Sequence, residues 1–264
     1  MDVLLFTFDS EYGAAATHSG MAGIVVDWEW HGKSLRQAGA DTEISRGTDE
    51  DLARMRAAVK GRVICRVNNK PGTRIAEARR AVDLGADEIW LPMVRGVAEV
   101  EECLAAISGR AELGVLVETR EALELGPHLS KLPVTGVFIG LHDLRLELQG
   151  AGLFDPLLNG AVDSFRASYS GRLGVAGLTH PDAGHPVPQR LLLAEMSRLR
   201  CVFGIARRSF RANVPPERIA QTLTAISAEM ERLAARDEVE IEHDRARLRE
   251  AVAQVSSADA ACAS

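Results

Sequence analysis

Two acidic side chains follow apolar stretches that have the length of β-strands. Glu118 ends the run GVLVE at residues 114–118, and Asp143 follows the run VFIG at residues 137–140 within GVFIGLHDL. Hard divalent cations such as Mg²⁺ are usually held by one or two carboxylates, with water and substrate oxygens completing the coordination. If the two stretches are neighbouring strands, their ends can deliver both carboxylates to one cation.

Residues that could contact a substrate follow most of the other apolar stretches as well. They are Asp27, Glu29, His31, Arg66, Asn68, Pro92, Met93, Thr119, His142, His180 and Arg207. Polar residues commonly begin where a strand ends, so any one of these residues could be there by chance. The presence of several charged groups at the ends of successive strands is not explained in this way. Buried charge is costly unless it is paired or bound to a metal. The set therefore favours a functional rim over chance placement.

The elements that must position these side chains alternate regularly along the chain. The predicted strands are VLLFTF (3–8), GIVVDW (23–28), RVICRV (62–67), EIWLP (88–92), LGVLVE (113–118), GVFIG (136–140), LGVAGL (173–178) and CVFGI (201–205). Runs that are apolar on both faces indicate parallel strands buried on both sides. Amphipathic segments such as 76–86 lie between them and end at glycine. The pattern predicts an α/β fold of the (β/α)₈ TIM barrel type, in which catalytic groups lie at the C-terminal ends of the strands.

The chain divides into three predicted segments. Residues 1–215 form the barrel domain, and 216–250 form the eighth helix with a charged helical arm. Residues 251–264 are expected to be a disordered tail. The arm is either solvated or packed on a neighbouring subunit, and the sequence leaves both alternatives open.

Composition excludes several classes of protein. A length of 264 residues suits one barrel, and a net charge of −6 argues against nucleic acid as the main partner. No apolar stretch has the length of a membrane span. The N-terminal MDVLLFTF has no basic leader, so we expect no signal peptide. The four cysteines have no metal-binding spacing and are typical of reduced thiols in a cytoplasmic protein.

Five motifs resemble those of a known family. They are GIVVDWEWHGK (23–33), CRVNN (65–69), EIWLPMV (88–94), LVETREA (116–122) and GVFIGLHDL (136–144). In these motifs the chain resembles the HpcH/HpaI 2-oxo-acid aldolase and citrate lyase β-subunit family, a branch of the phosphoenolpyruvate/pyruvate-binding barrels, over about residues 3–210. The resemblance implies that Glu118 and Asp143 hold Mg²⁺ or Mn²⁺. It also implies that Arg66 binds the carboxylate and keto oxygens of a pyruvate-like unit.

The implied activity is that of a carbon–carbon lyase or aldolase that acts through the metal-stabilised enolate of a 2-oxo acid. His31 is the favoured acid/base, and Glu29 is expected to bind the metal through water or to anchor that histidine. The expected substrate contacts are Asn68, Pro92, Met93, Thr119, His142, His180 and Arg207. Relatives commonly form trimers or hexamers, so a homo-oligomer is also expected.

The chain departs from the family pattern at two places. Trp30 stands where the aldolases place their histidine, with His31 one residue later, and SGRAEL (108–113) leaves little room for the Gly-Xaa-Arg-Gly loop of many relatives. One alternative is therefore a citrate-lyase-like acyl-CoA lyase or thioester hydrolase. It would need a phosphate-binding cluster such as Arg207, Arg208 and Arg211. Another is a catalytically altered barrel that only binds a ligand or partner.

Overall fold

Eight short stretches rich in apolar residues form parallel strands that close into a barrel in chain order. The computed structural model of the protein describes residues 1–32, 46–150, 152–185, 187–207 and 209–262, with side chains to residue 255. The strands are β1 (Asp2–Phe6), β2 (Gly23–Asp27), β3 (Val63–Arg66), β4 (Glu88–Leu91), β5 (Glu112–Val117), β6 (Gly136–Ile139), β7 (Leu173–Leu178) and β8 (Phe203–Ala206). Since β8 pairs with β1, the sheet closes on itself.

Helices follow the strands on the outside of the barrel. They are α1 (Ser10–His18), α2 (Asp49–Ala58), α3 (Arg74–Asp83), α4 (Val97–Ile107), α5 (Arg120–Leu123), α6 (Gly126–Leu129), α7 (Leu141–Glu147), α8 (Asp155–Leu158), α9 (Ala161–Ser168), α10 (Gln189–Arg198), α11 (Phe210–Asn213), α12 (Pro216–Ala234) and α13 (Glu238–Cys262). This architecture confirms the predicted (β/α)₈ barrel.

Side-chain alternation along the strands determines which residues reach the mouth of the barrel. One cluster fills the barrel interior, and its buried members are Leu4, Val25, Ile64, Trp90, Leu116, Phe138, Phe203 and Ile205. Because successive side chains of a strand point to opposite faces, the residue two positions after an interior residue lies on the same inner face, nearer the C-terminal end of the strand. The residues at these positions are Phe6, Asp27, Arg66, Pro92, Glu118, Gly140 and Arg207. The barrel thus gathers residues from distant parts of the sequence around one opening.

Cys65 of β3 lies on the outer face of the barrel. Cys65 alternates with Ile64 and Arg66 and belongs to the outer core between strands and helices. Burial raises the pKa of its thiol well above the ordinary value, which suits packing rather than nucleophilic attack. In the described part of the chain, no helix combines the length and hydropathy that a bilayer crossing requires.

The C-terminal helix α13 packs on the barrel of its own chain. Leu248 and Val252 are buried against Val187, which lies just before α10, and Leu191, which lies within α10. One face of the arm thus contacts its own barrel, and the two alternatives for its remaining surface stay predictions, as does self-association of the protein. The helix continues to Cys262, through residues for which the sequence predicts a disordered tail. Residues 251–262 include five alanines, which favour helix strongly.

Replacing Leu248 with alanine tests the docking of α13. Leu248 is fully buried, so Leu248→Ala should lower the free energy of unfolding by about 2–5 kcal/mol in urea denaturation. Val239 lies on the same helix but is 78% exposed, and Val239→Ala should change it by less than about 0.5 kcal/mol. Equal stability of the two variants would show that α13 does not pack on the barrel in solution.

Candidate active site

A buried ion pair joins the ends of β2 and β3. Nε and Nη2 of Arg66 donate to Oδ1 and Oδ2 of Asp27 at 2.8 and 2.7 Å. The guanidinium also lies 4.7 Å from the centre of the Phe6 ring, within range of a cation–π contact. Burial alone would lower the pKa of Arg66, but the carboxylates of Asp27 and Glu29 raise it above the ordinary value. Arg66 is therefore a fixed positive charge at the mouth.

This pairing modifies the role predicted for Arg66. The edge formed by Nε and Nη2 is occupied by Asp27 and is not open to a substrate. A two-point contact with a substrate must therefore come from the two terminal nitrogens, and Nη1 lies 3.3 Å from Oε2 of Glu29. Glu29 is thus an ion-pair partner of Arg66, a contact that the sequence did not predict.

Glu118 is the most perturbed carboxyl group at the mouth. It follows β5 and is 3% exposed. Burial, followed by the charges of Glu29 and Asp143, raises its pKa to about 8, against the opposing effects of Arg66 and the Met93 backbone N–H. Like charges gathered in a buried space make a proton or another cation favourable there.

Two backbone features hold the Glu118 side chain. Oε2 accepts a hydrogen bond of 3.1 Å from the backbone N–H of Met93, whose φ of 50° lies in the left-handed region that non-glycine residues rarely adopt. A Cβ atom at Gly140 would lie 2.3 Å from Oε1 of Glu118. Glycine at position 140 is therefore required for Glu118 to lie across the end of β6. Met93 acts here through its backbone, and Pro92 beside it is buried.

The donor set at the mouth fits a hard divalent cation. Asp143 lies in the first turn of α7, is 5% exposed and is near enough to raise the pKa of Glu118. Within the described ranges, no group of three or more His, Cys, Asp or Glu side chains is arranged to hold a metal. A pair of carboxylates completed by water and substrate oxygens is nevertheless a usual Mg²⁺ arrangement. The carboxylates of Glu118 and Asp143 are the residues that would hold it.

Asn68 has a positioning role rather than the predicted role in substrate binding. Its Oδ1 accepts from the backbone N–H groups of Trp30 and His31 at 2.9 and 2.8 Å. Its Nδ2 donates to the Trp28 carbonyl and to Oε2 of Glu77, each at 2.9 Å. These four bonds use the full capacity of the amide. Asn68 therefore fixes the loop that carries His31.

Thr119 also differs from its predicted role as a substrate contact. Its hydroxyl donates to the Val94 carbonyl at 2.5 Å and accepts from the Ala122 N–H at 3.1 Å. The second bond is a helix N-cap, which begins α5 directly after Glu118. Thr119 thus fixes the direction of the chain as it leaves β5.

The three histidines that the sequence predicts to be in the site lie in different environments. His31 is exposed and makes an edge contact with Trp30, with ring centres 5.9 Å apart. His142 is half-buried in α7 beside Asp143. Nδ1 of His180 accepts the backbone N–H of Asp182 at 3.2 Å, so the proton of the neutral ring lies on Nε2. His180 in this state suits hydrogen-bond donation better than proton abstraction.

Arg207 follows β8 and is half-buried. Nε, Nη1 and Nη2 donate to the Gly177 carbonyl, the His185 carbonyl and Oε1 of Gln189, at 3.2, 3.3 and 3.1 Å. Burial lowers the pKa of its guanidinium below the ordinary value. Arg208, the other arginine of the predicted phosphate-binding cluster beside it, lies outside the described residues.

The sequence did not single out several positioning residues, which are Phe6, Glu77, Gly140 and Gln189. It placed Asp27 at the rim, but it did not predict that Asp27 pairs with Arg66. Gly140 and Gln189 act through contacts with residues distant in sequence, for which no local pattern gives a signal.

Comparison with known proteins agrees with the fold. No protein-family model matches this chain, and no curated protein sequence does. Among solved structures, RipC from Yersinia pestis is similar, with a TM-score of 0.57 and 16% sequence identity over 91% of this chain and 98% of that chain. At this identity the likeness shows a shared barrel fold alone.

Gly140→Ala tests the close approach of Glu118 to β6. The added methyl group would displace the carboxylate, so a divalent cation held by Glu118 and Asp143 would bind about tenfold or more weakly in calorimetry. Gly96 offers a matched control, because a Cβ there meets nothing within 4 Å. Unchanged affinity in a folded Gly140→Ala variant would contradict this placement of Glu118.

Glu118→Gln tests the electrostatics of the metal-free protein. The pKa of Glu118 is about 8 in the folded state and about 4.3 in an unfolded chain. The folded state therefore favours the protonated side chain of Glu118. Its contribution to the free energy of unfolding is fully present below about pH 4.3 and is lost as pH rises through 8. Gln does not ionise, so the melting temperature of the variant relative to the native protein should rise between pH 5.5 and 8.5, by on the order of 5 °C.

Chelator must be present in both measurements, since a bound cation would replace the proton. Glu112→Gln is the matched control, because Glu112 begins the same strand but is exposed. A melting-temperature difference for Glu118→Gln that does not vary with pH would show that the folded-state pKa of Glu118 is not raised.

Proposed function

We propose that the protein is a divalent-metal-dependent carbon–carbon lyase or aldolase that acts on a 2-oxo acid through its enolate. The observation that supports this most directly is the environment of Glu118. It is buried beside Glu29 and Asp143 and faces the charge of Arg66. In a TIM barrel the C-terminal mouth, where these groups lie, is the usual place of the active site.

In this proposal the anionic and cationic groups have separate tasks. Glu118 and Asp143 would hold Mg²⁺ or Mn²⁺, which would supply Lewis-acid stabilisation of the enolate's negative charge. The terminal nitrogens of Arg66 bind the substrate carboxylate. Asp27 holds the guanidinium in place beforehand, so little conformational freedom is lost when substrate binds.

Proton transfer is assigned to the loop after β2. In retro-aldol cleavage, a base takes the proton of the substrate hydroxyl, the carbon–carbon bond breaks, and its electrons form the enolate of the 2-oxo acid. The enolate carbon then takes up a proton. We propose His31 as this acid/base, because Asn68 fixes its backbone and histidine is the side chain that most often serves as a general acid or base. Glu29 orients Arg66, and His180, whose Nδ1 accepts the Asp182 backbone N–H, would donate to the substrate from Nε2.

Decarboxylation of oxaloacetate tests the enolate chemistry without knowledge of the natural partner. Purified protein freed of metal should release pyruvate only after Mg²⁺ or Mn²⁺ is added, beyond the rate of the metal alone. Glu118→Gln should reduce the rate about a hundredfold or more, because it removes a metal ligand. Glu112→Gln, at the exposed start of β5, should retain the native rate.

The contrary outcomes separate the alternatives. Equal rates in Glu118→Gln and the native protein would remove Glu118 from the metal site. No pyruvate with either metal would reject the enolate proposal. Binding of acyl-CoA with turnover would then favour the lyase or thioester hydrolase alternative, and binding without turnover would favour a barrel that only binds its ligand.

A further inference from the structure

The turn between β4 and α4 contacts the residues at the end of β5. The backbone N–H of Met93 in this turn donates to Oε2 of Glu118. The Val94 carbonyl, one residue later, accepts the hydroxyl of Thr119. Arg95 follows, and its side chain reaches two helices that come after β5. The turn thus connects β4 with the segment that carries one of the two proposed metal ligands.

Arg95 forms a bridge between α5 and α7. Its Nη1 donates to Oε2 of Glu121 at 2.6 Å, and its Nη2 donates to Oε1 of Glu147. Arg120 adds a second contact between the two helices, because its Nη2 donates to the Glu147 carbonyl at 3.1 Å. The planar guanidinium of Arg95 holds both carboxylates at once, which fixes the separation of the two helices at this point.

The bridge ends close in sequence to both proposed metal ligands. Glu121 lies in the first turn of α5, three residues after Glu118. Glu147 lies in α7 four residues after Asp143, and residues four apart share one face of a helix. A single side chain therefore links the two short segments that carry the carboxylates.

The charges of the two ligands favour their separation. The charge of Asp143 acts on Glu118 in addition to burial and the charge of Glu29. A divalent cation binds both carboxylates in the ionised form, in which they repel each other until the cation is present. A rigid link between their segments opposes this separation, so that cation binding requires less rearrangement of the protein.

The bridge contributes more to geometry than to stability. The exposed fraction of the side chain is 45% for Arg95, 51% for Glu121 and 24% for Glu147. Exposed ion pairs contribute little to the free energy of unfolding. One guanidinium that contacts two carboxylates nevertheless restricts the orientation of both.

We propose that Arg95 is a positioning residue that fixes the separation of the Glu118 and Asp143 carboxylates before a divalent cation binds. The inference rests on the proposed function, because it concerns the metal ligands of that reaction. Arg95 acts through Glu121 and Glu147 rather than by contact with the cation or the substrate.

Removal of the Arg95 guanidinium distinguishes positioning from a simple effect of charge. Arg95→Gln takes a positive charge away from the region of the cation, which by electrostatics alone would strengthen Mg²⁺ binding. Loss of positioning weakens it, and we expect the affinity for Mg²⁺ in calorimetry to fall about tenfold. Arg95→Lys keeps the charge but lacks the planar fork, so its affinity should lie between those of Arg95→Gln and the native protein.

Arg110→Gln is the matched control. Arg110 is 50% exposed and pairs with Asp83 at 2.7 Å, which joins the end of α3 to the segment just before β5, at the N-terminal end of the strands. Arg110→Gln should leave the Mg²⁺ affinity within about twofold and have a melting temperature similar to that of Arg95→Gln. Equal Mg²⁺ affinities in the two variants would overturn the proposal, as would tighter Mg²⁺ binding by Arg95→Gln.

A double-mutant cycle tests the contact of Arg95 with α7. Glu147→Gln removes the same bridge from its other side. Once Arg95→Gln has been made, adding Glu147→Gln should weaken Mg²⁺ binding little further, because the shared interaction is lost only once. Fully additive losses would show that the two residues act independently, and would reject the bridge as the cause.

Hydrogen exchange of the metal-free protein separates this inference from the proposed function. Backbone amides of α7 should exchange faster in Arg95→Gln than in Arg110→Gln, because α7 has lost a contact that holds it to the turn after β4. If the native protein binds no Mg²⁺, the proposed metal site fails, and faster exchange of α7 still supports its positioning by Arg95. Equal exchange of α7 in the two variants rejects that positioning, whatever the protein binds.

Discussion

The candidate site depends on how a closed parallel barrel orders its inner face. Alternation along each strand places every second residue inside, and the position beyond the last interior residue reaches the mouth. Val25, Ile64 and Leu116 belong to the interior cluster, and the charged residues Asp27, Arg66 and Glu118 follow each of them by two positions. The apolar interior therefore fixes the rim, because a shift of one residue would turn these charges toward the helices.

The charged groups at the mouth of the barrel are held in place by several rigid contacts. Glu118 lies near two other carboxylates in a buried space, and Arg66 only partly compensates them. Such an arrangement needs rigid support, because relaxation would separate the like charges. The Met93 N–H and the close approach of Gly140 hold Glu118, and Asp27 holds Arg66. In the proposed function this support keeps the site ready for a cation.

The sequence predicted more of the fold than of the individual contacts. The eight strands and their order follow from apolar runs and glycine-ended helices, which are local signals. Asn68 and Thr119 were predicted to contact substrate because they follow strands. Their actual partners, Glu77 and Val94, come from other parts of the chain. A hydrogen-bonding side chain at a strand end looks the same in sequence whether it serves the substrate or the scaffold.

By itself the sequence determined the barrel and the charged residues at its mouth, because hydrophobic periodicity and residue type are properties of the chain. Tertiary structure alone decided which of those charges meet. It paired Arg66 with Asp27, left Arg207 among neutral acceptors and placed Glu118 against Gly140. These outcomes depend on distances between strands far apart in sequence, and the free energy of a charge is set by its burial and its neighbours rather than by its type.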